Sequence, residues 1–221
     1  VLYAYLCAIL VKIGGLSIYT MRLPGIILML ISVWCGMRTM QIMTKDSCWQ
    51  AVIYGVGALT MPVYIMLFRI GMDCNLMLAL AAIVILYVAK CIEENRNIDF
   101  LGLGISSGVL LYTYALSYPV LLLFTGMLFL YLVIMRKINF KQILCWFVPL
   151  AILAMPLILV QIVNIFDLPE IKLGSITITK LMVYRKSEIS LANINVQSVI
   201  RCCKVIFGYD WLRYNSLPEF G

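Results

Sequence analysis

M-L-F-R-I-G-M-D-C-N, residues Met66 to Asn75, decides how the rest of the chain is read. To its left, Ser47 to Phe68 carries no charge; to its right, Cys74 to Ala89 carries none either. Between these apolar runs stand one cation, Arg69, and one acid, Asp73. The pattern reads as a hairpin of two membrane-crossing helices whose tight turn holds both charges at one membrane face. Ionisable residues where neutral ones would serve need a physical reason. Two are open. Arg69 can snorkel to lipid headgroups while Asp73 caps the next helix. Alternatively, the pair acts on a charged ligand at the membrane surface.

Composition fixes the class. Hydrophobic residues make up 64% of 221 and charged residues 12%, with a mean hydropathy of +1.03. A soluble domain carries about 45–50% apolar and about 25% charged residues. We therefore expect an all-α, polytopic membrane helix bundle. In such a chain the net charge of +7 marks cytoplasmic helix ends and gives no reason to expect nucleic acid. Histidine is absent, which removes Ser-His-Asp triads, histidine bases and histidine metal ligands. The eight cysteines are scattered and no C-x-x-C occurs, so no disulfide framework is visible. The chain starts at Val1 without an initiator Met and stops at Gly221 in a loop-like stretch, which reads as a piece of a longer protein.

In order, Val1 to Ile13 is too short to span and suits a surface helix or the end of a longer one. Gly15 to Leu23 reads as a connection, with Pro24 in the first turn of a span that runs to about Met43. Ser47 to Phe68 returns across the membrane with a possible kink at Pro62, and Asp73 to about Cys91 crosses again. Phe100 to Met135 is uncharged for 36 residues. As one helix it would be about 54 Å long, so it must fold back. The break is Tyr112-Thr-Tyr-Ala-Leu-Ser-Tyr-Pro119. Gln142 to Phe166 is the last span, giving about six in all plus a juxtamembrane helix.

The domains expected are a transmembrane region over 1–166 and a non-cytoplasmic, membrane-hugging segment over 167–221. In the latter, Leu173 to Ile178 suits a short strand and Ile189 to Phe207 an amphipathic helix, with Tyr209, Trp211 and Tyr214 at the interface. The cation bias puts Lys45, Lys90, Arg96, Arg136, Lys137 and Lys141 in the cytoplasm. The Arg69–Asp73 turn, the Tyr-rich turn and everything after Phe166 then face outside.

Several segments together carry a resemblance. L-Y-A-Y-L-C-A-I-L-V-K-I-G-G-L-S-I-Y-T-M-R-L-P-G (Leu2 to Gly25) resembles the juxtamembrane helix and following R-L-P span of C-type glycosyltransferases. These polytopic enzymes are similar to the protein O-mannosyltransferases and the aminoarabinose transferase of lipid A. R-I-G-M-D-C-N resembles the family's second outer turn. The span–Tyr turn–span pair and N-I-F-D-L-P-E-I-K-L-G resemble a bacterial branch of this superfamily.

The resemblance implies transfer of a sugar from a polyprenyl-phosphate carrier to a lipid, glycan or protein acceptor, on the non-cytoplasmic face of a bacterial plasma membrane. It also implies an acid in the first outer loop, as general base or metal ligand. No D-E or D-x-D stands in these residues, so that loop is expected upstream of Val1 and residues 1–221 alone are expected to be inert.

On this reading Arg69 holds the carrier phosphate, since bidentate phosphate contact suits a guanidinium. Asp73 either holds a divalent ion (Mg or Mn) bridging to that phosphate or fixes Arg69. Tyr114 and Tyr118, with Tyr112, line the sugar or lipid path or anchor the interface. Arg22 suits headgroups, and Arg185 and Glu188 a solvated face. The rival class is a transporter or envelope-assembly subunit without chemistry. Transporter sites lie near the bilayer midplane, whereas the span interiors here hold no acid or base.

Overall fold

The computed structural model describes residues 2–45, 47–69, 73–114, 117–165, 171–173 and 176–178. Eight helices are seen among them: α1 Leu2–Gly14, α2 Ile18–Met43, α3 Cys48–Thr60, α4 Pro62–Arg69, α5 Asp73–Glu93, α6 Asn97–Leu110, α7 Ser117–Ile134 and α8 Phe140–Ile165. Strands β1 Ile171–Leu173 and β2 Ile176–Ile178 pair antiparallel, with Ile171 opposite Ile178. Contacts divide the chain into two compact units, Val1–Leu157 and Ile158–Gly221.

Local chemistry sets the helix ends. Lys12 sits in the last turn of α1, where a cation suits the dipole, and Gly15 beyond it adopts φ +74°. Ser17 and Thr20 then form a capping box. The Ser17 hydroxyl accepts from the Thr20 amide (3.2 Å), and the Thr20 hydroxyl oxygen accepts from the Ser17 amide (3.0 Å). This starts α2 at Ile18, so Pro24 lies inside the helix and the connection is shorter than Gly15 to Leu23.

The expected span from Ser47 to Phe68 is divided. Met61, just before Pro62, is extended at φ −71°, ψ 113°, as steric conflict with the proline ring requires. It ends α3 after 13 residues, and α4 follows for eight. Pro119, read as ending the Tyr-rich turn, instead stands third in α7, where a missing amide leaves no helical bond unmade. The single strand expected over Leu173 to Ile178 is a hairpin with residues 174–175 between its arms.

Among the described residues, four helices are long and apolar enough to cross a membrane: Ile18–Met43, Asn75–Glu93, Ser117–Ile134 and Phe140–Asn164. Shorter apolar helices accompany them, among them α1, α3 and α6. Large apolar side chains such as Leu122, Met127 and Ile152 are exposed on α7 and α8. That is how helices facing hydrocarbon look, and the chain is an integral membrane protein.

Within the first unit, two buried clusters organise the packing. Tyr3 and Cys7 of α1, Leu28 of α2, Phe68 of α4, and Leu76 and Ala79 of α5 form one. Val84, Cys91, Phe100, Leu103, Leu110, Leu121, Leu128, Leu132 and Trp146 form the other, and Leu80 packs against both. The boundary expected at Phe166 and Asp167 lies outside the described residues, as do the helix over 189–207, Arg185, Glu188, Tyr209, Trp211 and Tyr214.

Candidate functional site

The end of α4 and the start of α5 both contribute to the first cluster. Arg69 is the last residue of α4 and Asp73 the first of α5. Each placement suits its helix, since cations favour C-termini and acids N-termini. The flanking residues are buried. Phe68, at 3% exposure, stacks at a tilt on Tyr64 with ring centroids 5.1 Å apart. The Tyr64 hydroxyl is hydrogen-bonded to that of Ser32 on α2. On the other side, Asn75 is 2% exposed and Leu76 is buried in the cluster.

At Gly25 the backbone of α2 comes up against that of α4. A Cβ added there would stand 2.3 Å from the Phe68 carbonyl oxygen and 3.6 Å from the Tyr3 hydroxyl. Only a glycine lets the two backbones meet this way. Sequence reasoning passed over Gly25. The only sign was a glycine directly after R-L-P.

The Tyr-rich turn belongs to the second cluster. The Tyr112 hydroxyl donates to the Leu153 carbonyl of α8 (2.8 Å). Pro156 carries no amide hydrogen to give the Ile152 carbonyl one turn earlier. The Thr113 hydroxyl donates to Leu110 O (2.7 Å), and the Ser117 hydroxyl to Tyr114 O (2.6 Å). Tyr112 is thereby part of the scaffold. Tyr114 is 50% exposed and Tyr118 half-buried. The candidates therefore fall into two groups. Arg69 and Asp73 lie in sequence between Phe68 and Leu76 of one cluster, while Tyr114 and Tyr118 lie between Leu110 and Leu121 of the other. Arg22 is exposed beside a shallow recess of about 360 Å³ lined by Leu16, Ser17, Ile18 and Met21.

A polar assembly ties the α5–α6 and α7–α8 turns together. Lys137 Nζ donates to Ile92 O (2.9 Å), and Gln142 Nε2 to Asn95 O (3.0 Å) and Asn95 Oδ1 (2.9 Å). Gln142 Oε1 accepts from the Asn139 amide (2.8 Å). Arg96 pairs with Glu94 and, at 3.0 Å, with Asp99, whose side chain is almost fully buried. The hydrogen bond and the charge of Asp99 raise the Arg96 guanidinium further above its ordinary value. Arg96 and Lys137, which the cation bias grouped, thus lie at one end of the bundle.

Residues 1–163 match the family model described as dolichyl-phosphate-mannose-protein mannosyltransferase. The chain belongs to that family. No curated protein matches it, and no solved structure does. The resemblance to mannosyltransferase-like C-type glycosyltransferases is therefore shown, and the family is one of membrane glycosyltransferases of the mannosyltransferase type. Membership implies, at the coarse level, a polyprenyl-phosphate-linked sugar donor and a glycan or protein acceptor. Arg69, Asp73, Tyr114 and Tyr118 all lie within the matched residues.

The divalent ion expected at Asp73 falls on a side chain outside those the structure describes. Among the described residues no three His, Cys, Asp or Glu side chains come together. No step below passes through a metal.

Proposed function

We propose that the chain binds a polyprenyl-phosphate-linked sugar at the non-cytoplasmic face of the membrane, with Arg69 gripping the carrier phosphate for transfer to a lipid, glycan or protein acceptor. The observation that carries this is the α4–α5 junction. Within a family of membrane glycosyltransferases, a guanidinium-bearing residue ends one helix and a carboxylate-bearing residue begins the next, and their near neighbours in sequence, Phe68 and Leu76, share one buried cluster.

The chemistry asks for a cation there. The donor's phosphodiester carries one negative charge. In transfer, the acceptor hydroxyl oxygen bonds to the anomeric carbon and the bond from that carbon to the phosphate oxygen breaks. The electron pair leaves with the polyprenyl phosphate, and the hydroxyl proton passes to a base. Negative charge on the phosphate grows along this path, so a cation held beside it stabilises the transition state more than the ground state. Arg69 supplies that cation, and Asp73 orients it. The family-type base has no D-E or D-x-D counterpart in these residues, so the proposal is confined to the phosphate grip. Tyr114 and Tyr118 are proposed to border the path of the sugar or its lipid.

The test is equilibrium binding of undecaprenyl phosphate and of the phosphate-free polyprenol to the chain in nanodiscs. The proposal expects tighter binding of the phosphate form, with the preference largely lost in Arg69→Ala. Equal affinity for the two lipids in the wild-type chain would reject it.

A further inference from the structure

We infer that Gly25 is a positioning residue for Arg69: the close meeting of α2 and α4 at Gly25 sets where the α4 terminus, and hence Arg69, stands relative to the carrier phosphate. This rests on the reading of Arg69 given above and adds a residue on a different helix, 44 positions earlier in the sequence.

Three observations carry it. First, the neighbour of Gly25 is backbone. A Cβ there would lie 2.3 Å from the Phe68 carbonyl oxygen, whereas real Cβ atoms essentially never stand closer than 3.0 Å to another heavy atom. A carbonyl cannot swing aside as the end of a flexible side chain does. At Gly55, in contrast, the added Cβ would meet the thioether of Met37, which can rotate. Second, α4 is tied to α2 by a hydrogen bond. The Phe68 ring is buried against Tyr64, whose hydroxyl is bonded to Ser32 on the same helix as Gly25. Third, that carbonyl is joined by its own peptide bond to Arg69, and peptide planarity carries any displacement of Phe68 O directly into the Arg69 backbone. A misplacement on the order of 1 Å at a binding group can cost about a hundredfold. Tyr3 stands behind the contact, its hydroxyl 3.6 Å from the same point.

The test is a double-mutant cycle read as the affinity for undecaprenyl phosphate relative to polyprenol, on the whole chain in nanodiscs. Gly25→Ala is expected to lower this preference by about tenfold or more, and Gly55→Ala to leave it unchanged. Polyprenol affinity stays constant throughout. Because Gly25 acts through Arg69, Gly25→Ala adds nothing in an Arg69→Ala background. An unchanged preference in Gly25→Ala, or losses that multiply in the double variant, would overturn the inference. If Arg69→Ala alone keeps the preference, the phosphate grip itself is wrong and the inference falls with it. Should Gly25→Ala not fold, Tyr64→Phe cuts the Ser32 tie and leaves Gly25 in place. It is then expected to lower the preference only when Arg69 is present; an effect independent of Arg69, or none, contradicts the inference.

Discussion

Arg69 and Asp73 occupy positions where helix electrostatics alone would accept them, so their presence does not separate an anchor from a phosphate site. Conservative replacement does. Lysine keeps the charge at the end of α4 and snorkels as well as arginine, but it lacks the planar fork that meets two phosphate oxygens at once. Arg69→Lys is expected to lower the rate of sugar transfer by the full-length enzyme about ten- to a hundredfold, the worth of a charge-assisted hydrogen bond of about 1.5–3 kcal/mol. Asp73→Asn caps α5 about as well as Asp, yet should be comparably harmful if the carboxylate orients Arg69. Transfer rates measured against donor concentration decide this, and two near-wild-type curves would leave both residues as anchors. These two residues were legible because each is a charge between uncharged runs. Gly25 was not, because its importance depends on a carbonyl that approaches it from 43 residues away. Hydrophobic pattern carries no information about such a meeting.

At the level of helices, most elements followed from apolar runs broken by charge, and the errors came from prolines. Pro24 and Pro119 both looked like boundary residues. Capping by Ser17 and Thr20 overrode the first, and the second stands within the first turn of α7. Pro62 read as a possible kink and instead separates α3 from α4, because the extended Met61 before it ends the helix. The polar ties between turns were also hidden. Gln142 read only as the first residue of the last span, but it is 3% exposed and bonded to both Asn95 and Asn139. Gln142→Leu leaves those partners unsatisfied, at a cost of about 1–3 kcal/mol. It should lower the midpoint of thermal unfolding in detergent by several degrees, while Gln50→Leu, at an exposed position of α3, should not. Equal midpoints for the two variants would show that the tie contributes nothing.

For the whole molecule, the class was legible from composition and the family from the order of several weak segments, although no one of them is diagnostic. Orientation remains an expectation drawn from charge. The hydrogen bonds between the α5–α6 and α7–α8 turns put Arg96 and Lys137 at one end. Single cysteines in a background free of native ones should therefore label from the cytoplasmic side at positions 45, 96 and 137, and from the opposite side at 69 and 118. Labelling of positions 45 and 69 from the same side would refute this topology. The most direct test of the central claim is photo-crosslinking of the membrane-embedded chain with two diazirine-bearing lipids, a polyprenyl phosphate and the matching polyprenol. The account predicts that the phosphate lipid labels the peptide containing residues 66–76 preferentially, that unlabelled undecaprenyl phosphate competes this away, and that Arg69→Ala abolishes it. Even labelling along the lipid-exposed helices, the same for both probes, would contradict it.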